Sequence, residues 1–371
     1  MVIANLRPSW VEVDLAAIQQ NVKEQQAQLP AQSRILAVVK ANAYGHGAVA
    51  VAQALRQVPV AGFCVATLDE ALELRAAGIT ELILVLGVTP VEVAGVAAEH
   101  QVSLTVSDAG WLQAYATQIA PLVKSPLAVH VAVDSGMGRL GARTPAELQA
   151  MVDCLADSGF VFEGMFTHFA TADEADPSYF ERQVNHWNQL VASLTEQPPY
   201  LHMANSATAL WHPETITANT VRMGISMYGL NPSGRGLSLP RPLHPAMSVK
   251  TAVSFVKQLH AGESVSYGAT YTAAADEWVA TLPIGYADGY ARGLTGYQVL
   301  VNGQRCDILG RICMDQMMIR LPESLPVGTP VTLMGVDGDE QITATDLADQ
   351  LKTINYEVLT GFASRLPRRY H

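Results

Sequence analysis

The chain has 371 residues, more than one core usually organises, so two domains are expected. Hydrophobic residues make up 49% and charged residues 15%, which excludes a disordered or solvating chain. The formal net charge of -11 argues against a non-specific binder of nucleic acid or of an anionic membrane. Cys64, Cys154, Cys306 and Cys313 show no CxxC and no paired spacing. Neither a disulfide framework nor a metal site is therefore expected, and a reducing compartment fits. No basic stretch followed by an apolar core lies in Met1–Asp14, and no apolar run reaches the roughly 20 residues of a membrane span. A soluble, cytoplasmic protein is expected.

In chain order, Trp10–Asp14 alternates like a surface strand, and Asp14 can cap a helix over Leu15–Gln28. Short apolar runs then alternate with amphipathic helical segments. The strand candidates are Ile35–Val39, Gly62–Ala66, Leu82–Leu86, Val102–Val106, Ala128–Val133, Gly164–Thr167, Tyr200–Ala204 and Val221–Ile225. Helical spacing occupies Thr67–Ala77, Pro90–His100 and 145–158. This beat implies parallel strands and predicts an N-terminal (β/α)8 TIM-type barrel in an α/β chain. A doubly wound open sheet would want an early G-x-G-x-x-G turn, and none is found.

In a barrel, function sits at the C-terminal strand ends. Reactive residue types gather there: Lys40 and Tyr44 after the first strand, Asp134–Gly141 with Arg139 after the fifth, and His168 at the end of the sixth. His202, Asn205 and Ser206 surround the end of the seventh, and Arg222 lies in the eighth, followed by Gly224 and Ile225. Taken singly, each has an ordinary reading. Lys40 could snorkel from a strand end, His168 could be structural, and Asn205-Ser206 could be a plain helix cap as well as a phosphate cradle. At an apolar strand's mouth a lysine is partly desolvated, which favours its neutral, nucleophilic form.

Pro240-Arg241-Pro242 marks a change of style. Short strands separated by Gly and Pro turns follow, with a hairpin signal at Asn302-Gly303. The expected division is 1–240 for the barrel and 241–371 for a mostly β domain, a small barrel or sandwich. The strand near 10–14 is free to pair with that second domain, and Pro367–His371 reads as a surface tail.

The segment Val38-Val39-Lys40-Ala41-Asn42-Ala43-Tyr44-Gly45-His46-Gly47 resembles the pyridoxal-phosphate (PLP) lysine segment of alanine racemases. Val265-Ser266-Tyr267-Gly268, Ile284–Tyr290 and Gly310–Asp315 resemble further motifs of that family, so the resemblance runs through the whole chain. It implies that Lys40 carries PLP and that Tyr44, Ser206, Gly224, Ile225 and Tyr356 hold the phosphate. Arg222 would face the pyridine nitrogen, with His168 and His202 in its hydrogen-bond network. Arg139 would face the phenolic oxygen and, with Met314, the substrate. Tyr267 would be the second catalytic base, while Asn205, Tyr286, Cys313 and Asp315 would support the site or its entrance. A homodimer with composite sites is implied, as is a role in supplying D-alanine for peptidoglycan.

Racemisation needs a proton removed from one face of Cα and returned on the other, so two bases are required. Lys40 and Tyr267 answer that need. Two alternatives stay open. One is another PLP enzyme of the same architecture, either a broader racemase or a basic amino-acid decarboxylase; Tyr267 argues against the decarboxylase because carboxylate loss needs no second base. The other is a non-catalytic PLP carrier on a single barrel, which would lack the second domain. One departure stands out: many family members have a carbamylated lysine where this chain has Ala132. A small anion beside Arg139 is the expected substitute.

Overall fold

The computed structural model describes residues 2–156 and 159–371. It divides into two compact units. One is built from Ala17–Ala43 and Ala48–Pro245, the other from the segment up to Ala16, Tyr44–Gly47 and Ala246–His371.

In the first unit, β2 (Arg34–Val38), β3 (Gly62–Val65), β4 (Leu82–Val88), β5 (Ser103–Val106), β6 (Leu127–Ala132), β7 (Phe160–Phe166), β8 (Tyr200–Ala204) and β9 (Thr220–Met223) form a closed barrel. Every neighbouring pair is parallel, and β2 closes on β9 from Arg34↔Thr220 to Ala37↔Met223. The strands read as near-continuous apolar runs because parallel barrel strands are covered on both faces. Arg222 breaks that rule: it sits inside fully buried β9.

The helices start where their sequences say they should. Thr67 caps Leu68–Ala76 and Thr144 caps Pro145–Leu155, each in a reciprocal box with Glu70 or Glu147. The helix expected over 145–158 thus ends at Leu155, and positions 157 and 158 lie outside the described residues. Over Pro90–His100 the helix begins with a 3-10 turn, Val91–Val93.

Two strand ends differ from expectation where chemistry was anticipated. The first barrel strand stops at Val38, one residue before the expected Val39, and Lys40 opens a left-handed turn. The last stops at Met223, so Ile225 lies in the 3-10 turn Ile225–Tyr228.

In the second unit the main sheet places Ser9–Val13 (β1) antiparallel to Met247–Ala252 and parallel to Arg368–Tyr370. The expected tail at Pro367–His371 is therefore an edge strand: the backbone groups of an edge attract a partner whatever its polarity. Asn302 and Gly303, at φ 50 and 74, turn Gln298–Val301 into Gln304–Leu309. The unit is mostly β but not all β. Helices Ala344–Leu351 and Asn355–Gly361 close it, the first capped by a Thr343–Asp346 box that the sequence displays.

Candidate active site at the barrel mouth

Lys40 is followed by four non-glycine residues at positive φ: Ala41 (51), Asn42 (53), Ala43 (53) and Tyr44 (52). A left-handed conformation costs about 1–2 kcal/mol per L-residue, so this turn must be held from outside. The Ala41 N–H donates to Glu70 Oε1 at 2.7 Å, and Asn42 Oδ1 accepts from Ala48 N–H at 2.8 Å. The second oxygen of Glu70 accepts from Ala66 N–H at 2.7 Å. One carboxylate thus ties the lysine turn to the adjacent strand end. Burial, followed by the positive charge of Arg139, holds the Lys40 amine below the usual lysine range, with Arg222 adding to it and Glu70 and Cys64 opposing. The neighbouring Cys64 is an inert thiol, pushed up to about 12 by burial.

Arg222 is the node of the mouth. Nη1 donates to His202 Nδ1 at 2.9 Å and to His202 O at 2.6 Å; Nη2 donates to Thr167 O at 2.7 Å and His168 Nδ1 at 3.2 Å. A guanidinium only donates, so both imidazoles accept at Nδ1 and carry their proton on Nε2. Burial, then the Arg222 charge, pushes His168 down to about 3 and His202 well below the ordinary histidine value. Burial also lowers Arg222, to about 10, which leaves it a cation at neutral pH.

These neutral imidazoles carry a pH signature. Between 6.5 and about 3 the unfolded chain holds a proton that folded His168 does not, so stability is full above 6.5 and falls as pH drops through that window. His202 and His130, also lowered mainly by burial, act in the same sense. Each contributes up to about 1.4 kcal/mol per pH unit. Urea midpoints measured from about pH 8 down to about pH 5 should fall more steeply than one titrating group allows; a flat profile would exclude neutral imidazoles here.

Beside this node, Ser206 Oγ accepts from Gly224 N–H at 2.9 Å and Ser226 N–H at 3.4 Å. The Ser226 hydroxyl is buried and has no hydrogen-bond partner among the described residues. Asn205 caps the helix Ser206–Trp211 through Thr208 N–H at 2.9 Å. Arg139 is exposed on the loop after β6, which folds back so that Ala142 N–H donates to Ala132 O at 3.1 Å. In the single chain Arg139 is open to water.

The remaining anticipated residues lie in the second unit. Tyr267 is 69% exposed and lines a depression of about 650 Å³ with Cys313, Met314 and Asp315. Asp315 pairs with Arg365 at 2.6 Å, and Arg365 and Arg7 both meet buried Asp288. Tyr286 is 42% exposed and opens a 3-10 turn. Tyr44 and Tyr356 face each other with ring centroids 6.2 Å apart.

A family model for the alanine racemase N-terminal domain matches residues 13–232, and one for the C-terminal domain matches 246–370. The chain belongs to the alanine racemase family. It is 60% identical to an alanine racemase of Limosilactobacillus reuteri over 100% of this chain and 99% of that protein. The crystal structure of alanine racemase from E. faecalis superposes with a TM-score of 0.98 at 48% identity, covering 100% of both chains. A histidine racemase from Leuconostoc mesenteroides subsp. sake superposes at 0.95 with 37% identity, covering 100% of this chain and 99% of that one. The family uses PLP. No helix among the described residues is long and apolar enough to cross a membrane.

Sequence reasoning passed over Glu70 and Thr167. Glu70 was visible as a capping-box acid after Thr67, but its second task needs the neighbouring strand end. Thr167 acts through its carbonyl, which no side-chain motif announces.

Proposed function

We propose that the chain interconverts L- and D-alanine with PLP at the barrel mouth, Lys40 and Tyr267 being the two proton-transfer residues. The observation that carries this is Lys40 at the head of a turn tied to Glu70 at the barrel mouth, where Arg222 is aimed by Thr167, His168 and His202. The donor set suits the cofactor: an orphan buried hydroxyl at Ser226, a cation at Arg222 and a nucleophilic amine match an anionic pyridine aldehyde. PLP, when bound, accepts electron density from the amino acid's Cα and makes its proton removable.

Lys40 would anchor the cofactor covalently and work on one face of Cα. Tyr44, Ser206, Gly224, Ile225 and Tyr356 would hold the phosphate. Arg222, a permanent donor, would meet the pyridine nitrogen and disfavour a second positive charge there, which limits side reactions that need a stronger electron sink. Arg139 and Met314 would orient the substrate, with Asn205, Tyr286, Cys313 and Asp315 supporting the site or its entrance. Tyr267 would work on the opposite face. In a cytoplasmic homodimer, each Tyr267 would complete the partner's barrel mouth. A small anion beside Arg139 belongs to this reading, supported by the methyl of Ala132 in place of a long side chain. D-alanine for peptidoglycan is the expected use.

The test is incubation with PLP and L-alanine in D2O, following Cα–H exchange and chirality. Inversion with deuteration is expected; carbon dioxide release, or exchange with full retention, would sink the proposal. L-Histidine in the same assay measures substrate breadth.

The composite arrangement has its own expected outcome. Lys40→Ala and Tyr267→Ala dimers, each inactive, should recover roughly a quarter of the wild-type rate after random subunit exchange. Half the dimers are then mixed, and each mixed dimer has one intact site of two. No recovery despite exchange verified by mass spectrometry would place each site within a single chain.

A further inference from the structure

Arg222 is 4% exposed, yet no carboxylate among the described residues lies within ion-pair distance of it. Its hydrogen-bond chain does not stop at His202. His202 Nε2 lies 2.8 Å from His130 Nδ1, and His130 Nε2 lies 3.0 Å from Glu163 Oε2. Both imidazoles are fully buried. The direction of every bond is determined. Arg222 must donate to His202 Nδ1, so the His202 proton sits on Nε2 and is given to His130 Nδ1. The His130 proton then sits on Nε2 and is given to Glu163, which also accepts the Ser103 hydroxyl. All the links are polarised one way, from the cation to the carboxylate.

We propose that Glu163 is the counter-charge of Arg222, reaching it through His202 and His130, and that it keeps both imidazoles in the Nε2–H form and the guanidinium aimed. Glu163 is a positioning residue, acting through Arg222. The physical need is plain: a buried cation is costly unless a negative charge compensates it, and neutral imidazoles can transmit the polarisation but not supply the charge. Bonding to His130 holds the Glu163 carboxylate low despite its burial, consistent with an anion at this end. Glu163 reaches a cavity of about 430 Å³ at the strand starts, on the barrel face opposite Lys40, shared with Ser103, Tyr200, Arg75 and Glu81. Arg75 is committed there to the carbonyls of Ile79, Glu81, His100 and Gln101, so it does not replace Arg222 as the partner of Glu163. Arg34 lies over the Tyr200 ring at 4.7 Å.

For PLP, the consequence rests on the reading of Arg222 as the partner of the pyridine nitrogen; the tautomers do not. The experiment is nitrogen-15 NMR of histidine-labelled full-length chain, with and without PLP. Both His130 and His202 should read as Nε2–H, with a His130 Nε2 proton shifted downfield by its bond to carboxylate. Glu163→Gln should lose that downfield shift and weaken PLP binding by about tenfold, whereas Glu163→Asp should retain the shift. An Nδ1–H tautomer at either histidine in the wild type overturns the proposal, and that spectrum decides it even where a Glu163 variant fails to fold. A Glu163→Gln spectrum identical to wild type overturns it too. Failure of the cofactor reading would instead show as no PLP bound by the wild type.

Discussion

Lys40→Ala should fold and lose racemisation by about 10⁴-fold or more, the upper range for removing one proton-transfer group with a covalent anchor lost as well. Folding should survive because the bonds that hold the left-handed turn avoid the Lys40 side chain. Ala41 is held by Glu70, Ala43 N–H by the Val39 carbonyl at 2.8 Å, and Ala48 by Asn42. Removing a partly desolvated amine next to two guanidinium groups also relieves an unfavourable charge. Two measurements separate this from a trivial loss of structure. Urea unfolding should shift by no more than about 1 kcal/mol. Borohydride treatment of the PLP-loaded wild type should fix the cofactor to a peptide containing Lys40, and the variant should give no such peptide. Cofactor fixed to another lysine at full turnover would remove Lys40 from its proposed role.

Arg222→Leu should cost stability as well as activity. Two opposing effects meet at this position. Taking a charge out of a buried site is favourable in itself, and apolar replacements of buried ions are often tolerated. Leucine, however, leaves the Thr167 carbonyl and the Nδ1 atoms of His168 and His202 without their donor, while the His202 carbonyl keeps only the Thr167 N–H at 3.4 Å. Each stranded acceptor costs about 1–3 kcal/mol, so the loss wins and about 3–6 kcal/mol is expected. Arg222→Lys keeps the charge but cannot reproduce the fork, and should recover less than half of that stability. A urea midpoint within experimental error of wild type for Arg222→Leu would mean that these groups find other partners.

Much of the frame was legible along the chain because its signals are local. Apolar runs of five or so residues alternating with capped helices require parallel pairing, and a closed barrel satisfies it. Thr67-x-x-Glu70 and Thr144-x-x-Glu147 mark helix starts by a bond made within four residues. The order of strands follows from that beat, and so does the gathering of Lys40, His168, His202 and Arg222 at one end of the barrel. The edge strand Arg368–Tyr370 escaped because its three residues carry two arginines and no alternation. Its pairing with Ser9–Val13 is decided by a strand more than 350 residues away.

What the sequence by itself determined, then, is which residues sit on which strand and at which end, since period, capping and turn chemistry act over a few residues. What only the tertiary structure decided is how those residues are bonded. Four successive positive φ values after Lys40 have no glycine to announce them; they exist because Glu70, from the next βα unit, accepts the Ala41 N–H. The run from Arg222 through His202 and His130 to Glu163 crosses three neighbouring strands after leaving β9. Its polarity follows from one donor-only group at its head and one acceptor-only group at its foot. Barrel register brings those groups within 3 Å of their neighbours, and register is a property of strands packed together, which no stretch of sequence carries alone.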